Sequence, residues 1–354
     1  MPHPHAAVSH LPLLAKSPVP TQAETMEILG RLYAETGSLP AVLQELERWS
    51  RDAGYFAHLT EPNAYLSFPD QKLGVVLRLQ INYSRLSYTK NPAPRAVACH
   101  LCYENIASPG KELLRAFEFT AAGAPYFAHL TPFPLHEGHF VMNSRTHAPM
   151  HIDAAAIEQA ADFARRARGW LAASNSDVEW AGASILGHHH CQIFRNSTLP
   201  IEDAARTASK EINGVRTSAL RWPGPTLRLE GAHEAVVALA TVITANWKAL
   251  APGKNTVNFL ARAYSEDGLT IHIIFRDPDH RTVAPVTALK SEGVGIIEVA
   301  GEIIVPPLAD KTREENVAFF RQNGLKLCLD IITMNTPAPE EWPTERLLGL
   351  AETY

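Results

Sequence analysis

The sequence predicts an α+β fold in which an antiparallel sheet carries helices on its flanks. Between residues 113 and 143, three short strand-like runs are separated by turns that contain glycine and proline, which is typical of an antiparallel meander. Segments with apolar residues at three- and four-residue spacing lie before and after this region and predict amphipathic helices. With 354 residues, 46% of them hydrophobic, the chain has enough apolar material for one large domain or two.

Composition narrows the expected partners and compartment. The formal net charge is −5, whereas nucleic acid and anionic membranes attract proteins with a basic field, so neither partner is expected. No stretch approaches the roughly 18 uninterrupted apolar residues of a membrane span. The cysteines at positions 99, 102, 191 and 328 are too few and too unevenly placed for a secreted disulfide framework. We therefore predict a cytoplasmic protein that binds a small ligand.

The predicted elements begin after an N-terminal arm. Residues 1–21 contain a Pro-Val-Pro run and no basic leader region, and they predict a loose arm. Residues 22–215 predict a first series of elements, placed by apolar spacing and turn residues. This series comprises two short helices within 22–52, strands at 77–83, 113–120, 126–130 and 139–143, a helix capped by Asp153 and running through Leu171, and a strand at 178–183.

A second, similar series is predicted over residues 216–354. It comprises strands at 225–229, 257–263, 270–275 and 296–305, a helix at 233–250, and a helix over 311–322 that Asp310 caps and Gly324 ends. Its first members repeat the order of elements in the first series. The second half is therefore predicted to be a degenerate repeat of the first.

A cluster of histidines near the middle of the chain carries the strongest chemical signal. It reads Gly182-Ala183-Ser184-Ile185-Leu186-Gly187-His188-His189-His190-Cys191-Gln192. In a strand, His188, His190 and Gln192 point one way and the two residues between them point the other way. A neutral imidazole is a good nucleophile toward phosphorus when its other ring nitrogen has a fixed acceptor. His190, central on its face, is the candidate nucleophile.

The residues around His190 suit phosphate chemistry. Gln192 can donate its amide to a phosphate oxygen, and Ser184 with the backbone of 182–187 can supply further donors. Two other interpretations stay open at this point. The histidines can be hydrogen-bonded residues of a buried strand, or their run can itself be a metal cluster.

The motif Gly182-Ala183-Ser184 followed by His188-x-His190-x-Gln192 resembles the active site of one branch of the histidine-triad superfamily. That branch contains galactose-1-phosphate uridylyltransferase, diadenosine tetraphosphate phosphorylase and the GDP-hexose phosphorylases. The resemblance implies a HIT-like antiparallel sheet in two tandem halves and transfer of a nucleoside monophosphate through a covalent histidine. It gives His190 the role of nucleophile and Gln192 that of a phosphate-binding residue.

Two more segments share this resemblance, which spans about residues 75–305. Residues 138–147 resemble the family's strand and turn that end in a histidine, here His147. The run Gln80-Ile81-Asn82-Tyr83-Ser84-Arg85 resembles the Gln-x-Asn-x-x-Arg strand of the phosphorylases, which implies nucleotide binding by Asn82 and Arg85.

The pair Cys99-x-x-Cys102 is by itself compatible with metal binding or redox chemistry. The resemblance implies a structural zinc held by Cys99, Cys102, His147 and His188, a closed set of ligands suited to Zn²⁺. A metal on His188 would fix the chain two residues before the nucleophile. Three nearby histidines compete for a ligand position: His100, His139 and His151.

The predicted function is a double displacement. The donor is a nucleotide sugar or a dinucleoside polyphosphate, and the acceptor is phosphate or a sugar 1-phosphate. The uridylyltransferases have proline where this chain has His189, so the base, the sugar and the acceptor are not read from the motif. Alternatives are a hydrolase of the same nucleotides and a non-catalytic nucleotide- or zinc-binding protein, and a homodimer is compatible with each. Structural roles are expected for four further histidines: His129, His136, His272 and His280.

Overall fold

The computed structural model describes residues 13–85, 99–182, 185–279, 289–290 and 293–352. In this part of the chain the α-helices are α1 (Gln22–Thr36), α2 (Leu39–Asp52), α3 (Ala154–Arg166), α4 (His233–Leu250), α5 (Ile296–Val299), α6 (Arg313–Ile332) and α7 (Thr344–Gly349). None of the described helices is both long enough and apolar enough to cross a membrane.

The described strands form two sheets. They are β1 (Ala64–Asp70), β2 (Val75–Ile81), β3 (Ala116–Ala121), β4 (Ala124–Leu130), β5 (His139–Ser144), β6 (Trp170–Ser174), β7 (His190–Arg195), β8 (Arg206–Ile212), β9 (Val215–Leu220), β10 (Thr226–Ala232), β11 (Thr256–Ala263), β12 (Gly268–Arg276) and β13 (Glu302–Val305). The large sheet is antiparallel throughout, in the order β3-β4-β5-β7-β6-β11-β12-β10-β9-β8. A small sheet has the order β1-β2-β13, with β13 parallel to β2. The predicted α+β class with a large antiparallel sheet is confirmed.

The two halves of the large sheet have the same topology. In β3–β7 and again in β8–β12, the third strand is followed by a helix, and the fifth strand pairs between the third and the fourth. Each series opens with a hairpin whose two turn residues, Ala122-Gly123 and Asn213-Gly214, have positive φ, as hairpin turns of type I′ require. The second series begins at Arg206, ahead of the predicted boundary at residue 216.

Four helices, α1 to α4, cover one face of the large sheet, and the small sheet covers the other face together with α6. One buried cluster joins the large sheet to α1, α2, α3 and α4, with Trp49, Phe163 and Trp247 fully buried. The other cluster joins the opposite face to β2, β13 and α6, with Phe194 and Phe320 fully buried. Alternate residues of a strand point to the same face, and His190 and Phe194 are four residues apart on β7. His190 therefore lies on the face that carries Phe194, which the small sheet covers.

Three predicted elements of the chain differ from the structure. The helix capped by Asp153 ends at Arg166, and Leu171 belongs to β6, because the chain turns at Gly169 with a φ of 86°. The described part of the predicted strand at 178–183 instead contains a short turn, Glu179–Ala181, and the Ser176 hydroxyl donates to the carbonyls of Val178 and Ala181. Of the predicted strand at 296–305, only β13 is extended, because Glu298 caps the start of α5.

The last long helix also departs from the prediction. Its cap is Thr312, whose side chain accepts the amide of Glu315, and the helix continues to Ile332. Gly324 lies inside the helix, and a Cβ at this position would lie 2.2 Å from the ring of Phe68 on β1. The glycine thus allows close packing between α6 and the small sheet.

The described part of the predicted loose arm is held against α2. Leu14 is buried, and its amide donates to the Glu45 carboxylate at 2.7 Å. The indole of Trp49 donates to the carbonyl of Ala15 at 2.8 Å. Residues 13–20 are therefore fixed by contacts that no local pattern reveals, since their partners lie more than 30 residues away.

Candidate active site and metal cluster

His190 opens β7, which pairs between β5 and β6 in the first half of the sheet. Its Nδ1 lies 2.7 Å from the carbonyl oxygen of His188. Because a carbonyl only accepts, Nδ1 carries the proton and the lone pair is on Nε2. Burial lowers the pKa of His190 to about 4, so the ring is neutral near pH 7. The arrangement leaves an imidazole whose Nε2 is available for bonding.

His188 has the opposite arrangement of its ring nitrogens. Its Nε2 lies 2.8 Å from the carbonyl oxygen of Ser144, which places the proton on Nε2 and leaves the Nδ1 lone pair free for a metal. His188 stands in a bend just before β7. His189 points elsewhere, because its ring meets the edge of Tyr126 in the helix-covered core. The three consecutive histidines therefore have three different surroundings.

The cluster of Cys99, Cys102, His147 and His188 is assembled as the resemblance implied. One donor atom from each residue lies within 4.8 Å of the others. The Nδ1 of His188 is 3.5 Å from the Cys99 sulfur and 3.7 Å from the Cys102 sulfur, and the Nδ1 of His147 is 3.2 Å from the Cys102 sulfur. A tetrahedral Zn²⁺ with bonds of about 2.3 Å to sulfur and 2.0 Å to nitrogen sets such pairs roughly 3.5 Å apart. The residues present therefore fit a metal ion.

The competing histidines lie away from this cluster. His139 stacks on Phe194 with ring centroids 4.3 Å apart. His151 is exposed and near Asp153 and Asp177. The side chain of His100 is exposed and belongs to no metal-ligand cluster of the described residues. In the described part of the chain the histidine run likewise forms no metal cluster of its own, since only its first member, His188, joins the cysteines.

Of the other predicted site residues, two are fully described and two lie wholly or partly outside the described residues. Gln192 is partly exposed on the same face as His190, two residues further along β7. Asn82 follows β2 and is buried, with its Oδ1 accepting the Ser84 hydroxyl at 2.6 Å. Ser184 and the side chain of Arg85 lie outside the described residues, and Arg85 contributes only the last backbone position of the turn Tyr83–Arg85.

Residues of the second half of the chain pack against the segment that precedes the histidines. The sequence did not reveal these contacts. Gly182 has a φ of 83°, and a Cβ on it would lie 2.3 Å from the Cα of Gly295. Asn175, which follows β6, accepts the amide of Ile296 at 3.0 Å. The turn that leads to His188 is thus packed against residues more than 100 positions later. No local pattern marks such a contact.

Asn143 on β5 was also missed. It is fully buried and pairs directly with His190 across the two strands. Alternation along the predicted strand at 139–143 could have placed it on the same face as His139 and Val141. Only the register between β5 and β7 shows that its neighbour is the candidate nucleophile.

Known proteins are similar to this chain in sequence or in fold. Galactose-1-phosphate uridylyltransferase of Streptococcus pneumoniae (strain CGSP14) is 25% identical over 315 residues, covering 75% of this chain and 63% of that enzyme. The enzyme of the same name from Streptococcus salivarius is 29% identical over 241 residues, covering 59% and 48%. The chain therefore spans less than two thirds of the length of these curated relatives. No family model matches the chain.

Solved structures of yeast Ap4A phosphorylase Apa2 share the architecture. The complex with AMP aligns with 84% of this chain and 98% of the yeast chain, with a TM-score of 0.54 and 13% identity. The complex with Ap4A aligns with 83% and 97%, with a TM-score of 0.53 and 12% identity. By sequence this chain is similar to galactose-1-phosphate uridylyltransferases, and by fold it is similar to Ap4A phosphorylase, which are two of the enzymes in the branch that its histidine motif resembles.

Proposed function

We propose that this chain is a nucleotidyltransferase or phosphorylase that carries a nucleoside monophosphate on His190. The donor is a nucleotide sugar or a dinucleoside polyphosphate, and the acceptor is phosphate or a sugar 1-phosphate. The observation that carries the proposal is the 2.7 Å hydrogen bond from His190 Nδ1 to the His188 carbonyl, which leaves the Nε2 lone pair on a neutral, oriented ring. The uridylyltransferase relatives and the fold of Ap4A phosphorylase support it.

The reaction has two displacements at the α-phosphorus. In the first, Nε2 of His190 forms the N–P bond as the bond from phosphorus to the bridging oxygen breaks, and the electron pair leaves with the sugar phosphate or nucleotide. The Nδ1 proton stays on the ring, where the His188 carbonyl stabilises the positive charge that develops. In the second, an oxygen of the acceptor forms the new P–O bond and the electron pair of the N–P bond returns to Nε2.

Gln192 is proposed to donate its amide to a non-bridging oxygen of the α-phosphate. It lies on the face of β7 that carries His190, and its side chain remains partly exposed. Donors of this kind contribute most when charge spreads over the phosphate oxygens in the transition state. Ser184, Asn82 and Arg85 are proposed as further nucleotide-binding residues on the strength of the family resemblance.

The metal cluster is proposed to hold zinc in a structural role. Cys99, Cys102, His147 and His188 would all be ligands, which leaves no open position for a substrate. A bound Zn²⁺ would supply rigidity and no reacting group. No disulfide joins the cysteines of the described residues, which suits the predicted cytoplasmic location. The predicted homodimer stays a prediction.

Formation of the covalent intermediate tests the proposed function. The protein is incubated with UDP-glucose or with Ap4A in the absence of an acceptor, and its intact mass is measured. We expect a gain of one nucleoside monophosphate, no gain in the variant His190→Gly, and an unchanged gain in His151→Ala, whose ring is exposed and outside the cluster. Phosphate or glucose 1-phosphate should then discharge the adduct.

The same experiment separates the alternatives. Absence of an adduct with every donor in a panel of nucleotide sugars and dinucleoside polyphosphates would contradict the proposed function and favour a non-catalytic binding protein. If the adduct is lost at the same rate with and without phosphate or a sugar phosphate, the protein is a hydrolase.

A further inference from the structure

The side chain nearest to the proposed nucleophile on the neighbouring strand is Asn143. It pairs with His190 across β5 and β7. The amide of Ser144 donates to the His189 carbonyl at 3.0 Å, so the alternation of an antiparallel ladder makes Asn143 and His190 the closely spaced pair without backbone hydrogen bonds. Side chains of such a pair start from Cβ atoms about 4.5–5.5 Å apart. Asn143 and His190 therefore stand side by side on one face.

The amide of Asn143 has a defined orientation. Its Nδ2 donates to the carbonyl oxygen of Val141 at 3.2 Å. A flipped amide would set two oxygens against each other, so Oδ1 is the atom that points away from the strand. This oxygen is buried and has no hydrogen-bond partner among the described residues, and the whole residue is 0% exposed. Buried amide oxygens are normally hydrogen-bonded, so a donor is missing here.

The internal repeat supplies a matched comparison. Counted from the two opening hairpins, Phe127 and Ser218 occupy equivalent positions on β4 and β9. Their partners on the third strands are Asn143 and Arg228, and the partners of those residues on the fifth strands are His190 and His272. His272 is therefore the counterpart of the proposed nucleophile, and Arg228 is the counterpart of Asn143.

The protein itself occupies this position in the second half. The Nε of Arg228 donates to Nε2 of His272 at 2.8 Å, so the lone pair that would attack phosphorus is already used. The rest of the guanidinium is held by three backbone carbonyls, those of Ile201, Glu202 and Ala204. In the first half, no partner of this kind among the described residues reaches the His190 Nε2 or the Asn143 Oδ1. The missing donor at Asn143 is therefore expected to arrive with the substrate.

The chemistry of a nucleotide bound to His190 identifies that donor. The oxygens of the α-phosphate are unprotonated acceptors near neutral pH, and the 5′ ester oxygen carries no hydrogen, so none of them can donate to Oδ1. The donors of a nucleoside monophosphate nearest to its phosphorus are the ribose hydroxyls. We propose that Asn143 Oδ1 accepts a hydrogen bond from a ribose hydroxyl of the nucleotide and thereby selects ribonucleotides. This assignment rests on the proposed function.

Deoxynucleotide donors test the assignment directly. Adduct formation on the full chain is timed with UDP-glucose or Ap4A and with the 2′-deoxy and 3′-deoxy analogues of the same donor. One neutral hydrogen bond corresponds to about a tenfold difference in rate, so one of the two analogues should react about tenfold more slowly in the wild-type protein. In Asn143→Leu the ribose donor should slow by the same factor, and its preference over that analogue should disappear. Asn143→Asp, which keeps an oxygen acceptor, should retain part of the preference.

Thr244→Val is the matched control. The hydroxyl of Thr244 is also buried without a partner among the described residues, but it lies on α4, away from β7. This variant should leave both rates unchanged. Melting temperatures of all variants show that each is folded.

Three results would overturn the assignment. In the first, wild-type protein reacts equally with ribose and both deoxyribose donors. In the second, Asn143→Leu lowers the rate of adduct formation by the same factor for every donor, so that the preference for the ribose donor survives. Both leave the proposed function intact. In the third, no donor of the panel modifies the wild-type protein, which overturns the proposed function together with this assignment.

Discussion

His188 joins the metal cluster to His190 through two atoms of one residue. Its ring Nδ1 lies 3.5 Å from the Cys99 sulfur, and its carbonyl oxygen lies 2.7 Å from Nδ1 of His190. A third contact, from Nε2 to the carbonyl of Ser144, holds the ring in the tautomer that leaves the Nδ1 lone pair toward the cysteines. Whatever fixes the ring of His188 therefore also fixes the acceptor that orients the proposed nucleophile.

Loss of a cysteine ligand should reduce both metal content and the rate of adduct formation. We expect Cys99→Ser and Cys102→Ser to bind substoichiometric metal and to form the His190 adduct about 10- to 100-fold more slowly, because an outer support of the reacting group is lost. Metal is measured by mass spectrometry of the purified protein. His100→Ala and His151→Ala should keep the metal. Full metal content in both serine variants would refute the assignment of ligands.

Replacement of Gln192 should affect the chemical step more than binding. Gln192→Leu removes the amide that is proposed to contact the transition state, and we expect a fall of about 100-fold in the single-turnover rate. The nucleotide Kd should change by less than about tenfold. Gln159→Leu on α3 is the matched control substitution, because Gln159 accepts a hydrogen bond from Tyr126 on the helix-covered face, away from His190. Equal losses in rate and affinity would contradict the proposed role of Gln192.

Asp177 links the two halves of the sheet and should make stability depend on pH. Its carboxylate accepts the amide of Ile152 in the first half, and the ammonium of Lys248 and the hydroxyl of Thr256 in the second half. Burial raises the pKa of Asp177, but these hydrogen bonds outweigh it and hold the pKa below its ordinary value of 3.8. The stabilisation is therefore present above that value and is lost as the pH falls through the lowered pKa.

We expect Asp177→Asn to lower the free energy of unfolding by about 2–3 kcal/mol at pH 7, since hydrogen bonds to a charged group are lost. Below about pH 4 the gap to wild type should shrink, because the wild-type carboxyl becomes protonated there. Denaturant titrations across this range measure the gap. Asp279→Asn breaks only an exposed pair with Lys254 and should change the free energy by less than about 0.5 kcal/mol. A gap that is constant with pH would contradict the account of Asp177.

Two glycines inside helices should respond oppositely to alanine. Gly30 in α1 has nothing within 4 Å of a Cβ, so Gly30→Ala should stabilise the protein by up to about 1 kcal/mol through helix propensity. Gly324 in α6 meets Phe68, so Gly324→Ala should destabilise it by about 1–2 kcal/mol through overpacking. Chemical denaturation measures both. Stabilisation by Gly324→Ala would show that the helix and the small sheet can separate without cost.

Local patterns predicted the elements whose own side chains specify them. The helix His233–Leu250 was predicted with its observed bounds, and β4, β5 and β11 lie within a residue or two of the predicted strands, because apolar spacing reports the face that each element buries. The histidine motif indicated His190 because its chemistry is carried by consecutive residues. The sequence also indicated the four residues of the candidate metal cluster, but through the family resemblance and not through their spacing.

Contacts between distant residues decided the rest. The pairing of β13 with β2, the passage of α6 beyond Gly324, and the turn at Glu179–Ala181 each depend on a partner far along the chain. The difference between His190 and His272 is of the same kind. Both are buried histidines at equivalent positions of the repeat, and the sequence singled out one by its motif. The tertiary structure decided that Arg228 donates to the Nε2 of His272, whereas the described residues place no hydrogen-bond partner on the Nε2 of His190, because strand register sets which side chains meet.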